Sequence, residues 1–193
     1  MRGPAVLLLL AGCAPLAAVV DPTIAQLDRW RHAAPAEIAV EPVACPAGHA
    51  ACPRLHLLRA EACMRLAMAA RAPGAACPAL RGHLPCAAQS YAAARALTPD
   101  PKLAAGEAQA RLCLAELSPP GEDLAEAASA ASAANSPLLG ARVALLAARP
   151  GAGADARRCA AAQGGLPLAP AGSREAADLA RRIATIPHCG ATP

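Results

Sequence analysis

Cys45, His49, Cys52 and His56 are the one place where the chain gathers metal-ligand side chains within a few residues of each other. Thiolates and imidazoles bind zinc or copper when four of them converge, so one reading of the motif is a metal-handling or redox site. The spacing Cys-x3-His-x2-Cys-x3-His matches none of the usual zinc arrangements, however, and Pro46 and Pro53 beside the thiols suit a short stapled loop. On that second reading Cys45 and Cys52 bond to each other. His49 and His56 are then a loop residue and a helix-start residue, and no metal is expected. Covalent haem would need two cysteines two residues apart and followed at once by histidine, a pattern that Cys52-Pro53-Arg54-Leu55-His56 lacks.

Other chemistries find less to work with. No serine lies in a Gly-x-Ser-x-Gly turn, so an activated hydroxyl nucleophile is not indicated. Glu122, Asp123 and Glu126 cluster at the expected start of a helix, where capping and the helix dipole explain them without catalysis. Gly151-Ala152-Gly153 follows Pro150 and reads as a linker, because no strand precedes it to build a phosphate loop. No catalytic residue is assigned, and the chain is expected not to be an enzyme.

Cys13 belongs to a different chemistry. Leu10-Ala11-Gly12-Cys13 directly follows the apolar run Ala5–Leu10, with Arg2 as the positive charge before it. This layout resembles a bacterial lipoprotein signal, in which small residues beside the cut bond let the peptidase approach. The resemblance implies removal of residues 1–12, a palmitate-bearing lipid on the sulfur of Cys13, and residues 13–20 as a lipidated tether. Ala14 is not aspartate, which by the same resemblance implies the outer membrane and a domain facing the periplasm. An ordinary secretory signal cut near Ala17 or Ala18 is the alternative; either one exports the chain. The only cofactor expected is this covalent lipid.

Export gives the cysteine count its meaning. Of nine cysteines, setting Cys13 aside leaves Cys45, Cys52, Cys63, Cys77, Cys86, Cys113, Cys159 and Cys189, an even number in an oxidising space. The local candidates are Cys45 with Cys52 and Cys77 with Cys86; for the rest, Cys63 with Cys113 and Cys159 with Cys189 are favoured. Four bridges of about 2–4 kcal/mol each would offset a core thin in large side chains.

That thin core follows from composition. About three residues in ten are alanine, phenylalanine is absent, and Trp30 and Tyr91 are the only aromatics. Such a palette favours helices packed through small side chains over strands. The net charge of +4 comes from basic residues, all arginine except Lys102, interspersed with acids. Arg157-Arg158 and Arg181-Arg182 are the only doublets and read as solvated helix surface. Without a basic stripe or stacking aromatics, nucleic acid is not an expected partner, and neither is a small-molecule substrate.

The elements that position these residues are marked by punctuation. Asp21-Pro22, Asp100-Pro101 and Ser136-Pro137 each offer a cap followed by proline at the first helical position, and Ser173 precedes the last helix. A short helix from Pro22 carries Ile24, Leu27 and Trp30 at helical spacing, an apolar face that could pack inward or anchor a partner. Residues 34–53, rich in proline and glycine, read as a loop. Helices are then expected at 55–71, 85–97, 101–117, 121–134, 137–148 and 173–185, with a further segment near 154–163. The domain plan is thus signal, tether, a short helix with a stapled loop over 21–54, and a helical-hairpin domain over 55–189.

The hairpins repeat. Glu61–Ala69 aligns with Glu107–Ala115 at an offset of 46, and Cys86–Pro99 aligns with Leu124–Pro137 at 38. The connection from Arg71 to Leu84 absorbs the difference. Ala87-Ala88-Gln89-Ser90-Tyr91-Ala92-Ala93-Ala94-Arg95-Ala96-Leu97-Thr98-Pro99 resembles the closing half-repeat of the tetratricopeptide family, with Ser129 standing where a second Tyr91 would be. The resemblance covers roughly Leu55 to Ala148. It implies an all-α, short right-handed solenoid of helical hairpins, with Tyr91 in the core and a concave binding surface along 55–71, 101–117 and 137–148. A plain disulfide-bonded helical bundle is the alternative. The function expected is a non-enzymatic protein–protein interaction scaffold in the cell envelope that binds another protein or peptide; the alternative is the metal or redox role of the Cys45/His49/Cys52/His56 motif.

Overall fold

A computed structural model of the chain describes residues 21–119 and 123–190. The signal at 1–12, Cys13 with its expected lipid, the tether at 13–20 and Glu122 lie outside the described residues. Among those described there is no strand, and the helices run α1 Pro22–Trp30, α2 Pro35–Val40, α3 Cys52–Ala69, α4 Leu84–Leu97, α5 Pro101–Leu117, α6 Leu124–Ala133, α7 Pro137–Ala147, α8 Asp155–Gly165 and α9 Arg174–Thr185, with a 3-10 turn at Leu166–Leu168. None of these helices is long and apolar enough to cross a membrane.

Helix starts follow the punctuation. The Asp21 carboxylate accepts from the backbone N–H groups of Thr23 and Ile24, Asp100 accepts from Lys102, Ser136 from Leu139 and Ser173 from Ala176. Each satisfies a donor that the first turn of a helix leaves without a partner. Two local expectations fail. Residues 34–53 are not all loop, because Pro35 at a first helical position starts the six-residue α2, whose Ile38 and Ala39 are buried. Asp123 does not cap α6 with its side chain. It sits in the left-handed region at φ 61°, and its carboxylate accepts instead from the Ser118 hydroxyl at 3.1 Å and faces Arg81 at 3.7 Å.

Packing proceeds in order along the chain. Leu27, Trp30, Ile38, Ala51, Leu55 and Ala62 join α1 and α2 to α3. Cys63, Ala67, Leu84, Ala87, Ala110 and Leu114 join α3, α4 and α5. Ala108, Leu112, Ala127, Ala130 and Leu139 carry the core on through α6 to α7, and Ala141, Ala148, Ala162 and Leu179 close it against α8 and α9. With alanine at most crossings the helix backbones approach closely. Gly165 is the tightest case: a Cβ there would collide with the Ala144 methyl of α7. Interior alanines bury little area each, so the number of crossings, not the size of any one side chain, supplies the apolar burial.

All eight cysteines from Cys45 to Cys189 are bonded, as Cys45–Cys52, Cys63–Cys86, Cys77–Cys113 and Cys159–Cys189. Two of the expected pairs are replaced. Cys63 does not meet Cys113, and Cys77 does not meet Cys86. The connection over residues 70–83 folds back so that Cys77 packs among Cys63 and Ala67 of α3 and Cys113 and Leu114 of α5. That placement sets the Cys77 and Cys113 Cα atoms 5.3 Å apart and leaves Cys63 opposite Cys86 across the α3–α4 hairpin at 5.9 Å. Both spacings fall in the range a disulfide requires. Nearness in sequence misled here because Pro78 and Gly82 turn the chain between Cys77 and Cys86.

Candidate interaction groove

The metal-like motif is occupied by its own bonds. Cys45 and Cys52 form a disulfide, so neither offers a thiolate. His49 uses both ring nitrogens: Nε2 lies 2.8 Å from the Asp21 carboxylate, and Nδ1 accepts from the Ala51 backbone N–H at 3.1 Å. The Asp21 carboxyl is held below its ordinary value of 3.8, first by the His49 hydrogen bond, against a burial cost, and then by the N–H groups of Ile24 and Thr23. His56 is pushed below its ordinary 6.5, first by burial and then by the nearby Arg59. These contacts fasten the entry to α3 onto the cap of α1. Among the described residues, no group of three or more His, Cys, Asp or Glu side chains is placed to share an ion.

The apolar face of α1 is also used internally. Trp30 is 2% exposed and Leu27 is buried, with Ile24 packed beside them against Leu55 and Ala62 of α3. Ile24, Leu27 and Trp30 therefore do not form an exposed anchor for a partner. Burial of the indole is completed by a polar clamp. Trp30 Nε1 donates to Glu41 Oε2 at 2.7 Å, and the Gln26 amide donates to the other Glu41 oxygen at 3.1 Å. The Glu41 carboxyl is held below its ordinary 4.5, first by the Trp30 donor, against a burial cost, and then by Gln26 and Arg29.

Tyr91 is half-buried, with its ring lying against α5 at Gly106. A Cβ at Gly106 would come within 2.6 Å of its ring carbons, so the glycine makes room for the ring. Burial, and then the charge of Glu61, push the phenol above its ordinary 10.0. Ser129, its counterpart in the second hairpin, is exposed on α6.

A further feature is a groove between α5, α7 and α9. One cleft of about 680 Å³ has Leu145 and Leu146 of α7 as its floor, with Arg149 on one wall and Arg174, Arg181 and Arg182 on the other. It runs into a second cleft of about 330 Å³ that shares Leu145, Leu146, Glu116, Arg174 and Asp178 and ends at residues 74–76 beside Arg142. Arg174, Asp178, Arg181, Arg182 and Thr185 line one stripe of α9 because they recur at helical spacing, while Leu179 on the opposite stripe is fully buried.

The arginines differ in how firmly they are held. Arg149 donates to the carbonyls of Ala115 and Ser118 at 2.9 Å, capping the end of α5, and Arg142 donates to Gln109 at 2.7 Å. These two are structural posts. On α9, the single Asp178 carboxylate faces Arg181 at 3.3 Å and Arg174 at 3.6 Å. Arg174 and Arg181 are 84% and 73% exposed, and among the described residues Arg182 has no acidic partner within salt-bridge distance.

Of the expected concave surface, α5 and α7 contribute to the groove, whereas α3 does not line it. Residues 74–76 of the folded-back connection and helix α9 line it instead. Sequence reasoning passed over this site: Arg181-Arg182 read as solvated surface, although the stripe Arg174, Asp178, Arg181, Arg182 was visible as helical spacing. Comparison with protein-family models, with curated proteins and with solved structures returns no match.

Proposed function

We propose that the chain is a periplasm-facing, lipid-anchored protein of the bacterial cell envelope that acts as a non-enzymatic scaffold for another protein. The observation that carries this reading is the complete pairing of the cysteines from Cys45 to Cys189. Four bridges belong to an oxidising compartment. Cys13 itself lies outside the described residues, at the position where the Leu10-Ala11-Gly12 context suits lipid attachment. The order of packing along the chain, each hairpin against the next, supports a scaffold; we read it as a short right-handed solenoid of the tetratricopeptide-like kind.

Crosslinking in intact bacteria tests the scaffold role. A defined protein partner is expected in the envelope fraction, lost when Cys13→Ser prevents anchoring. Recovery of the uncrosslinked chain alone, with the wild type correctly exported, would overturn it.

A further inference from the structure

We infer that the groove between α7 and α9 binds an acidic, amphipathic peptide segment of the partner protein. The inference rests on the scaffold reading above and specifies which surface and which chemistry it uses. Charge is the first reason. Arg174, Arg181 and Arg182 project from one stripe of α9 into a cleft where Asp178 alone serves two of them, at 3.3 and 3.6 Å. Guanidinium groups crowded this way repel each other, and carboxylates arriving from a partner relieve that repulsion with paired, directional hydrogen bonds.

Shape is the second reason. The two confluent clefts, of about 680 and 330 Å³, make an elongated trough and not a closed pocket for a compact anion. Leu145 and Leu146 give it an apolar patch, because they pack against the core clusters on either side of α7 and remain partly exposed. A segment with leucine-like side chains on one face and acidic side chains on the flank toward α9 matches both floor and wall. Glu116, Glu175 and Asp178 keep a negative contribution inside the trough. That favours a partner with spaced carboxylates over a uniformly anionic surface.

The probe is a fluorescein-labelled peptide of about 15 residues with leucines at helical spacing and glutamates between them, compared with its glutamate-to-glutamine analogue. Both are titrated by anisotropy against the full chain in mild detergent. The acidic peptide is expected to bind about tenfold or more tightly than the amide analogue, with affinity falling as salt rises because the α9 arginines are exposed. The triple variant Arg174→Gln, Arg181→Gln, Arg182→Gln is expected to lose that preference while keeping its helicity and its lack of free thiols. Equal binding of the two peptides, or an unchanged preference in the triple variant, would overturn the proposal. So would arginine-dependent binding to phosphatidylglycerol vesicles without peptide binding, which would assign the groove to lipid. If crosslinking in cells still captures a protein through the triple variant, the scaffold reading stands and only this groove is wrongly assigned. If neither form captures one, the scaffold reading fails as well.

Discussion

Arg95 of α4 donates its Nε–H to the Glu107 carboxylate of α5 at 2.8 Å, across the interface between the first and second hairpins. Glu107 is 3% exposed and takes a second guanidinium, from Arg111 one turn along the same helix, at 2.9 Å. The pair holds a buried charge where the surrounding alanines offer nothing polar. Removing the carboxylate while leaving both arginines in place strands their charge at the interface. Glu107→Ala is therefore expected to lower stability by about 3 kcal/mol in denaturant unfolding with disulfides intact. Glu126→Gln touches the exposed end of the same network, where Glu126 is 60% exposed, and is expected to cost less than about 1 kcal/mol. Equal effects of the two substitutions would contradict this ranking.

Tyr91 and Gly106 offer a test of close packing. A methyl at residue 106 would press within 2.6 Å of the ring, and the ring is braced between α4 and α5. Gly106→Ala improves helix propensity by about 1 kcal/mol. Overpacking should nonetheless outweigh it, for a net loss of about 1–2 kcal/mol. Shrinking the partner with Tyr91→Leu should reverse the sign of the Gly106→Ala effect, so that a double-mutant cycle reads clear coupling. Additive effects would mean the ring simply swings aside.

Acid should loosen the N-terminal helices first. Asp21 and Glu41 have folded-state values below their ordinary 3.8 and 4.5, so each stabilises the fold above its ordinary value, and that stabilisation is lost as pH falls through the lowered one. His56 acts in the same direction at a higher pH. Its folded value lies below 6.5, so the unfolded chain binds the proton more readily and stability declines as pH drops below 6.5. Trp30, the single tryptophan, reports the change because its indole is bonded to Glu41. A fluorescence unfolding series across pH should show stability falling below 6.5 and again below 4.5. His56→Gln should remove the upper step, and Glu41→Gln should flatten the lower one. A flat profile down to strong acid would refute the assignment.

The disulfides divide by loop length. Cys77–Cys113 closes a separation of 36 residues and Cys63–Cys86 one of 23. Paired serine replacements should cost about 2–4 kcal/mol each, slightly more for the longer loop. Non-reducing peptide maps should join these partners; a Cys63–Cys113 peptide would contradict the folded-back connection over residues 70–83.

Most of the helical framework was legible because its signals are local. Asp21-Pro22, Asp100-Pro101, Ser136-Pro137 and Ser173 each mark a start with a hydrogen bond confined to one turn. What lay beyond reach depends on contacts remote in sequence. The path of residues 70–83 decides two bridges, and nothing near Cys77 announces that Cys113 will be its partner. The short α2 was hidden because Pro35 can open a helix or break one, and burial of Ile38 settles which. The groove was missed for the same reason. The α9 stripe was readable, but the Leu145 and Leu146 floor and the α5 wall that make it a site come from other helices.

The most direct test is the intact mass of the protein isolated from bacterial envelopes without reductant. The expected species begins at Cys13, carries the mass of its lipid, has no free thiol, and gains eight reactive thiols on reduction, matching the four bridges. A species that retains Met1, lacks lipid and already exposes its thiols before reduction would contradict the envelope lipoprotein reading and the scaffold role built on it.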